Sequence, residues 1–83
     1  MKLVFLGRFR EIAASLSHDM AVPDGVHNLQ QLLMWLARTE PALAEALKGA
    51  RTQIAVNQAI VRDLSQSIHD NDEIAFLPPM SGG

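Results

Sequence analysis

Cysteine is absent from the 83 residues. Disulfides, zinc–thiolate sites and thiol nucleophiles are therefore excluded, and the chain is compatible with a reducing cytosol. No apolar run approaches the ~20 residues of a membrane-spanning helix. Met1–Phe9 has a short apolar run without the layout of a signal peptide. A basic excess is missing as well: seven Lys and Arg stand against nine Asp and Glu, a formal charge of −2. Nucleic-acid binding normally leaves a basic stripe, so no nucleic-acid partner is expected. The expectation is a soluble, cytoplasmic protein that engages no membrane.

Catalytic constellations are also scarce. Gly7 stands alone, so there is no phosphate-cradling loop. Ser15, Ser17, Ser65, Ser67 and Ser81 lack the Gly-rich strand-to-helix setting of a nucleophilic serine. His18, His27 and His69 fall near predicted turns, and no two have the spacing of a helical metal pair. Asp70, Asp72 and Glu73 form an acidic knot without the further ligands of a calcium loop. No metal site, bound cofactor or self-contained active site is expected. Arg8 and Arg10 read first as a solvated pair beside Glu11, where an ion pair contributes little.

What is present is a core and a tail. Hydrophobic residues make up 48% of the chain, enough for one small domain with a thin stability margin. Lys2-Leu3-Val4-Phe5-Leu6, bounded by Gly7, predicts a strand buried on both faces. Phe9, Ile12 and Ala13 share one face of a short helix over 8–14. Met20-Ala21-Val22 predicts a weak strand that stops at the turn Pro23-Asp24-Gly25. Leu29, Leu32, Leu33 and Leu36 form a helical stripe, and Asn28 is placed to cap it. Pro41 ends that helix and can begin the next, with Leu43, Ala46 and Leu47 inward. Gln53–Asn57 alternates as a strand, Asn57-Gln58 turns, and Ala59-Ile60-Val61 returns. Leu64 and Ile68 plug the core edge. Asp70-Asn71-Asp72 turns the chain into a last strand with Ile74, Phe76 and Leu77.

Strands at both ends with helices between predict an α+β domain: one mixed sheet with helices packed on one face. The first and last strands, the most apolar, should be neighbours in the middle. That layout is a β-grasp, or ubiquitin-like, domain over residues 1–77. A ferredoxin-like sheet is the alternative, but it needs a stronger early helix.

Residues 78–83, Pro78-Pro79-Met80-Ser81-Gly82-Gly83, form an extended C-terminal tail. The prolines fix φ and remove N–H donors. The glycines carry no Cβ, so the end can enter a narrow channel. Six residues at ~3.3 Å each reach ~20 Å, enough to enter a neighbouring protein while the domain stays outside. The terminal carboxylate is inert unless activated, for example by adenylation. An ordinary β-grasp interaction module with an incidental tail remains the competing reading.

These residues resemble the MoaD-type sulfur carriers, the small subunits of molybdopterin synthase. The matching stretches are Phe5-Leu6-Gly7-Arg8-Phe9-Arg10-Glu11, Ala55-Val56-Asn57-Gln58 and 70–83, where Pro-Pro-x-Ser-Gly-Gly is the specific block. Thiamin-type sulfur carriers and ubiquitin-like modifiers share the Gly-Gly end. The resemblance implies that an activating enzyme uses ATP to adenylate Gly83, which becomes a thiocarboxylate, with Gly82 completing the bare end. The carrier would then join the large synthase subunit as a heterotetramer and donate sulfur to precursor Z, forming the dithiolene of molybdopterin. It further implies partner contacts through Phe76, Ile60 and Arg10, and through Pro78, Pro79, Met80 and Ser81 of the tail. Asn71 stands where the family more often has Gly, which the tolerance of Asn for positive φ would absorb.

Overall fold

A single alternation of side chains explains the sheet. The structure, a computed structural model, describes residues 1–13, 16, 18–49 and 51–79. Strand β1 (Lys2–Phe5) buries Leu3 and Phe5. Strand β2 (Gln53–Val56) points Ile54 and Val56 the same way. It turns into β3 (Ala59–Val61). Strand β4 (Glu73–Leu77) buries Ile74 and Phe76. In register, Leu3 faces Ile74, Phe5 faces Phe76, and on the other side of β4 Ile54 faces Phe76 and Val56 faces Ile74. Side chains alternate across a strand, so these six share one face of the sheet.

That face is covered by α1 (Phe9–Ile12), α2 (Leu29–Thr39) and α3 (Pro41–Leu47). Phe9, Leu29, Leu32, Leu36, Leu43 and Leu47 join the strand residues in one core cluster. The strand order is β1-β4-β2-β3, with β1 parallel to β4 and the other pairs antiparallel. This is the expected mixed sheet with helices on one face.

The start of α2 shows why the chain folds this way locally. A helix leaves its first four N–H groups without partners. Here Leu29 N–H donates to Gln66 O at 3.1 Å and Gln30 N–H to Leu64 O at 2.9 Å. Gln31 N–H donates to Asn28 Oδ1 at 2.9 Å, the side-chain cap expected of Asn28. Leu32 N–H donates to Asn28 O at 3.0 Å. The loop carrying Leu64 and Ile68 is thus bonded across the helix start, and Ile68 enters the core.

Four expectations are corrected. Strand β1 is not central and not buried on both faces: it is an edge strand with Val4 and Leu6 only half-buried. The strand expected over 20–22 does not form. Its neighbourhood makes one bridge, Asp19 to Lys2, with bonds from Leu3 N–H to His18 O and from Met20 N–H to Met1 O. Val22 N–H is instead taken by Asp70 Oδ1 at 2.7 Å, and Pro23 has no N–H to offer, so the ladder ends. Ile12 is 39% exposed, because α1 is a single turn that buries only Phe9. Asn71 does not adopt positive φ. Among non-glycine described residues, that conformation belongs to Asn57 (51°) and Gln58 (71°), the two-residue hairpin turn.

Asn57 also fixes this turn to the base of β4. Its amide donates to Asp72 Oδ1 at 2.9 Å, and its Oδ1 accepts from Glu73 N–H at 2.9 Å. The Asn57 amide holds the Asp72 carboxyl below its ordinary range. Burial opposes it, and the His69 backbone N–H and the charges of His69 and the N-terminus add smaller effects in the same direction as Asn57. A lowered folded-state value means that the carboxylate stabilises the fold at neutral pH. That contribution is lost as pH falls below the ordinary carboxylate range, about 4. Melting temperature is therefore expected to fall in acid less steeply for Asp72→Asn than for the wild-type protein. Equal slopes in a pH series of thermal melts would count against this.

Candidate functional site

Strand β4 is an inner strand, and it ends in the tail. Its last residue, Leu77, faces Gln53 across the β2 pairing. Leu6 N–H donates to Phe76 O at 3.1 Å and extends the parallel ladder beyond β1. Pro78 and Pro79 follow, both half-buried. Gly7 has φ +57°, and a Cβ there would lie 2.8 Å from Pro78 Cγ. Gly7 thus does more than end a strand: it lets the β1–α1 loop close against the root of the tail. Gly7→Ala would combine backbone strain with a clash. It is expected to lower stability by about 1–3 kcal/mol, checked by urea unfolding. An unchanged midpoint would show that Pro78 is free to move away.

Beside the root is a cleft of about 490 Å³, lined by residues that include Arg51, Gln53, Ile60, Arg62, Pro78 and Pro79. The face of the sheet away from the helices continues from it. Val4, Ala75, Ala55 and Ile60 lie in one row across all four strands. Leu77 shares their side by alternation. Ile60 is 48% exposed, whereas Ala55 is buried yet lies outside the core cluster. The row is a shallow apolar strip beside the exit of the tail.

The expected site residues are placed as follows. Ile60, Pro78 and Pro79 come together at the cleft. Arg10 is exposed on α1 and is not among the cleft residues. Phe76 is corrected: it has 0% exposure and stacks on Phe5 with centroids 5.1 Å apart and planes 8° from parallel. It alternates onto the helix-covered face, so it belongs to the core and offers no surface to a partner. The expectations for Met80, Ser81, Gly82 and Gly83 lie outside the described residues.

Leu77, Ala75, Ala55 and Val4 were missed by sequence reasoning. Strand parity could have found them, because whatever alternates with Ile74 and Phe76 must face away from the helices. Among the described residues no cluster of three or more His, Asp or Glu is arranged to hold a metal ion. No described helix is long and apolar enough to cross a membrane. The geometry supplies a surface and an anchored exit.

The sequence profile of the ThiS family matches residues 3–83. The chain belongs to the ThiS family. Its similarity to curated ThiS-family relatives runs the full length. It is 32% identical to a molybdopterin synthase sulfur carrier subunit of Chlamydomonas reinhardtii, over 100% of this chain and 98% of that one. It is 29% identical to the protein of the same name from Escherichia coli, over 100% and 99%. Among solved structures, it superposes on the small archaeal modifier protein SAMP1 of Methanosarcina acetivorans with TM-score 0.72 and 26% identity, covering 98% of this chain and 93% of that one. SAMP1 of Haloferax volcanii gives TM-score 0.76 at 24% identity, covering 98% and 96%. The β-grasp fold and the resemblance to MoaD-type carriers, both read from this ThiS-family sequence, are borne out.

Proposed function

We propose that this chain is the sulfur-carrier subunit of molybdopterin synthase, acting in the cytoplasm. The observation that carries this reading is the full-length likeness to relatives of that name. Support comes from the tail root, which follows an inner strand and is held against Gly7. The carrier holds no cofactor; ATP is used by its activating enzyme. Gly83 carboxylate attacks the α-phosphorus of ATP and releases pyrophosphate. A sulfur nucleophile then displaces AMP and leaves a thiocarboxylate. Gly82 and Gly83 present no Cβ to the channel that receives them. The large synthase subunit binds the apolar strip and admits the tail, two copies of each chain forming a heterotetramer. Sulfur passes to precursor Z and builds the dithiolene.

Intact mass spectrometry tests the reading. Incubation with the activating enzyme, ATP and a sulfur donor is expected to add the mass difference between sulfur and oxygen at the C-terminal peptide. An unchanged mass would overturn it. The likeness to archaeal modifier proteins favours a second reading, attachment of Gly83 to lysine side chains. That reading requires higher-mass conjugates of this chain in cells and fails without them.

A further inference from the structure

Arg51 lies two residues before β2, and Arg62 directly follows β3. The antiparallel pairing of Ile54 with Val61 brings the two arginines to the same end of the sheet, where both line the cleft at the root of the tail. Both are exposed. Neither makes an ion pair or side-chain hydrogen bond with another described residue.

The nearest carboxylate in sequence is not among the residues that line the cleft. Asp63 follows Arg62, but its Oδ1 accepts from Ser65 N–H at 2.9 Å and from Ser65 Oγ at 2.7 Å, within its own turn. Glu73 and Asp72 lie at the opposite end of β4. Glu73 comes five positions before Pro78, about 16 Å along the strand. Surface charges that far apart are largely screened at physiological salt, where the Debye length is ~8 Å. The net negative chain thus keeps a cationic cleft beside the exit of its tail. Two guanidinium groups on one cleft repel each other, and a carboxylate between them removes that repulsion. Each can engage it in a bidentate fork.

We infer that this cleft is a socket for a carboxylate side chain on the rim of the protein channel that receives the tail. The inference rests on the carrier function proposed above and names a feature of the partner's surface. Two observations favour a protein rim. Ile60 belongs both to the cleft and to the apolar strip, so a surface that covers the strip also reaches the arginines. The four residues beyond Pro79 span at most ~13 Å. When the tail is inside the channel, the cleft stays at its mouth, away from the reacting carboxyl of Gly83. Buried, hydrogen-bonded charge pairs of this kind set dissociation rates and specificity more strongly than charges on an exposed margin.

The test is calorimetric titration of the full chain into the purified molybdopterin synthase large subunit from the same organism. The pair R51A/R62A is expected to bind about tenfold more weakly than wild type, with a shallower salt dependence. R51K/R62K keeps the charge but not the fork, and should lose about threefold. Arg38→Ala, on α2 among the covering helices, changes net charge without touching the cleft and should bind as wild type. Thermal melts check that each variant is folded, which the exposure of these side chains favours. If wild type binds and R51A/R62A binds equally well, the inference is overturned while the carrier function stands. An equal loss in Arg38→Ala also overturns it, because net charge alone would then be responsible. A wild-type protein that fails to bind the large subunit overturns the carrier function, and the inference with it.

Discussion

Phe76→Ala is expected to lower stability by about 3–5 kcal/mol, the cost of removing a large aromatic from a closed core. Phe76 sits on an inner strand, between Phe5 of β1 and Ile54 of β2, with no exposed surface. Its parallel, offset stacking on Phe5 adds to the loss. Small domains have total stabilities of 5–15 kcal/mol, so this one substitution removes a large part. For a domain of this size each kcal/mol corresponds to roughly 4–8 °C in melting temperature. A fall of more than about 12 °C is therefore expected. Leu77→Asp makes the contrast. Leu77 faces away from the helices and is only half-buried, so the fold should persist while binding to the large subunit weakens. A Phe76→Ala protein that melts as wild type would show that the core closes around the gap. It would also remove the reason for separating these two neighbours.

Deletion of Gly82 and Gly83 is expected to abolish sulfur loading completely and leave the fold unchanged. The effect is all-or-none, because the proposed chemistry takes place at the terminal carboxyl and no other described group can replace it. After deletion the terminal carboxyl belongs to Ser81. It is set back by two residues, about 7 Å, from the reaction centre, and it carries a side chain into a channel shaped for glycine. Intact mass after incubation with the activating enzyme, ATP and a sulfur donor reads the loading directly. Urea unfolding reads the fold, whose core cluster includes neither of the described tail residues, Pro78 and Pro79. Thiocarboxylate formation on the shortened chain would overturn the role of Gly83. Retention of function by the deleted protein without any loading would instead favour an ordinary interaction module.

Much of the architecture was legible because it is written in local rules. The leucines of α2 repeat at helical spacing, and Asn28 caps them as its side-chain chemistry demands. Pro41 opens α3 from its first position. Asn57-Gln58 makes the hairpin turn. Other features depend on distant partners. Whether Met20–Val22 pairs as a strand is decided by Asp70, which takes the Val22 N–H from 48 residues away. Whether β1 is central depends on what lies along its outer side. Alternation in β4 divides Ile74 and Phe76 from Ala75 and Leu77, but it does not say which pair the helices cover.

By itself the sequence determined the helices α2 and α3, the β2–β3 hairpin, the β-grasp class and the family-like end Pro-Pro-Met-Ser-Gly-Gly, because periodicity, caps, turns and motifs act over a few residues. Only the tertiary structure decided that Phe76 is core, that Gly7 yields room to Pro78, and that Arg51 and Arg62 meet beside the tail. Each depends on which distant segments are brought into register. That register follows from closing one apolar face, a property of the whole chain and of no single stretch of it.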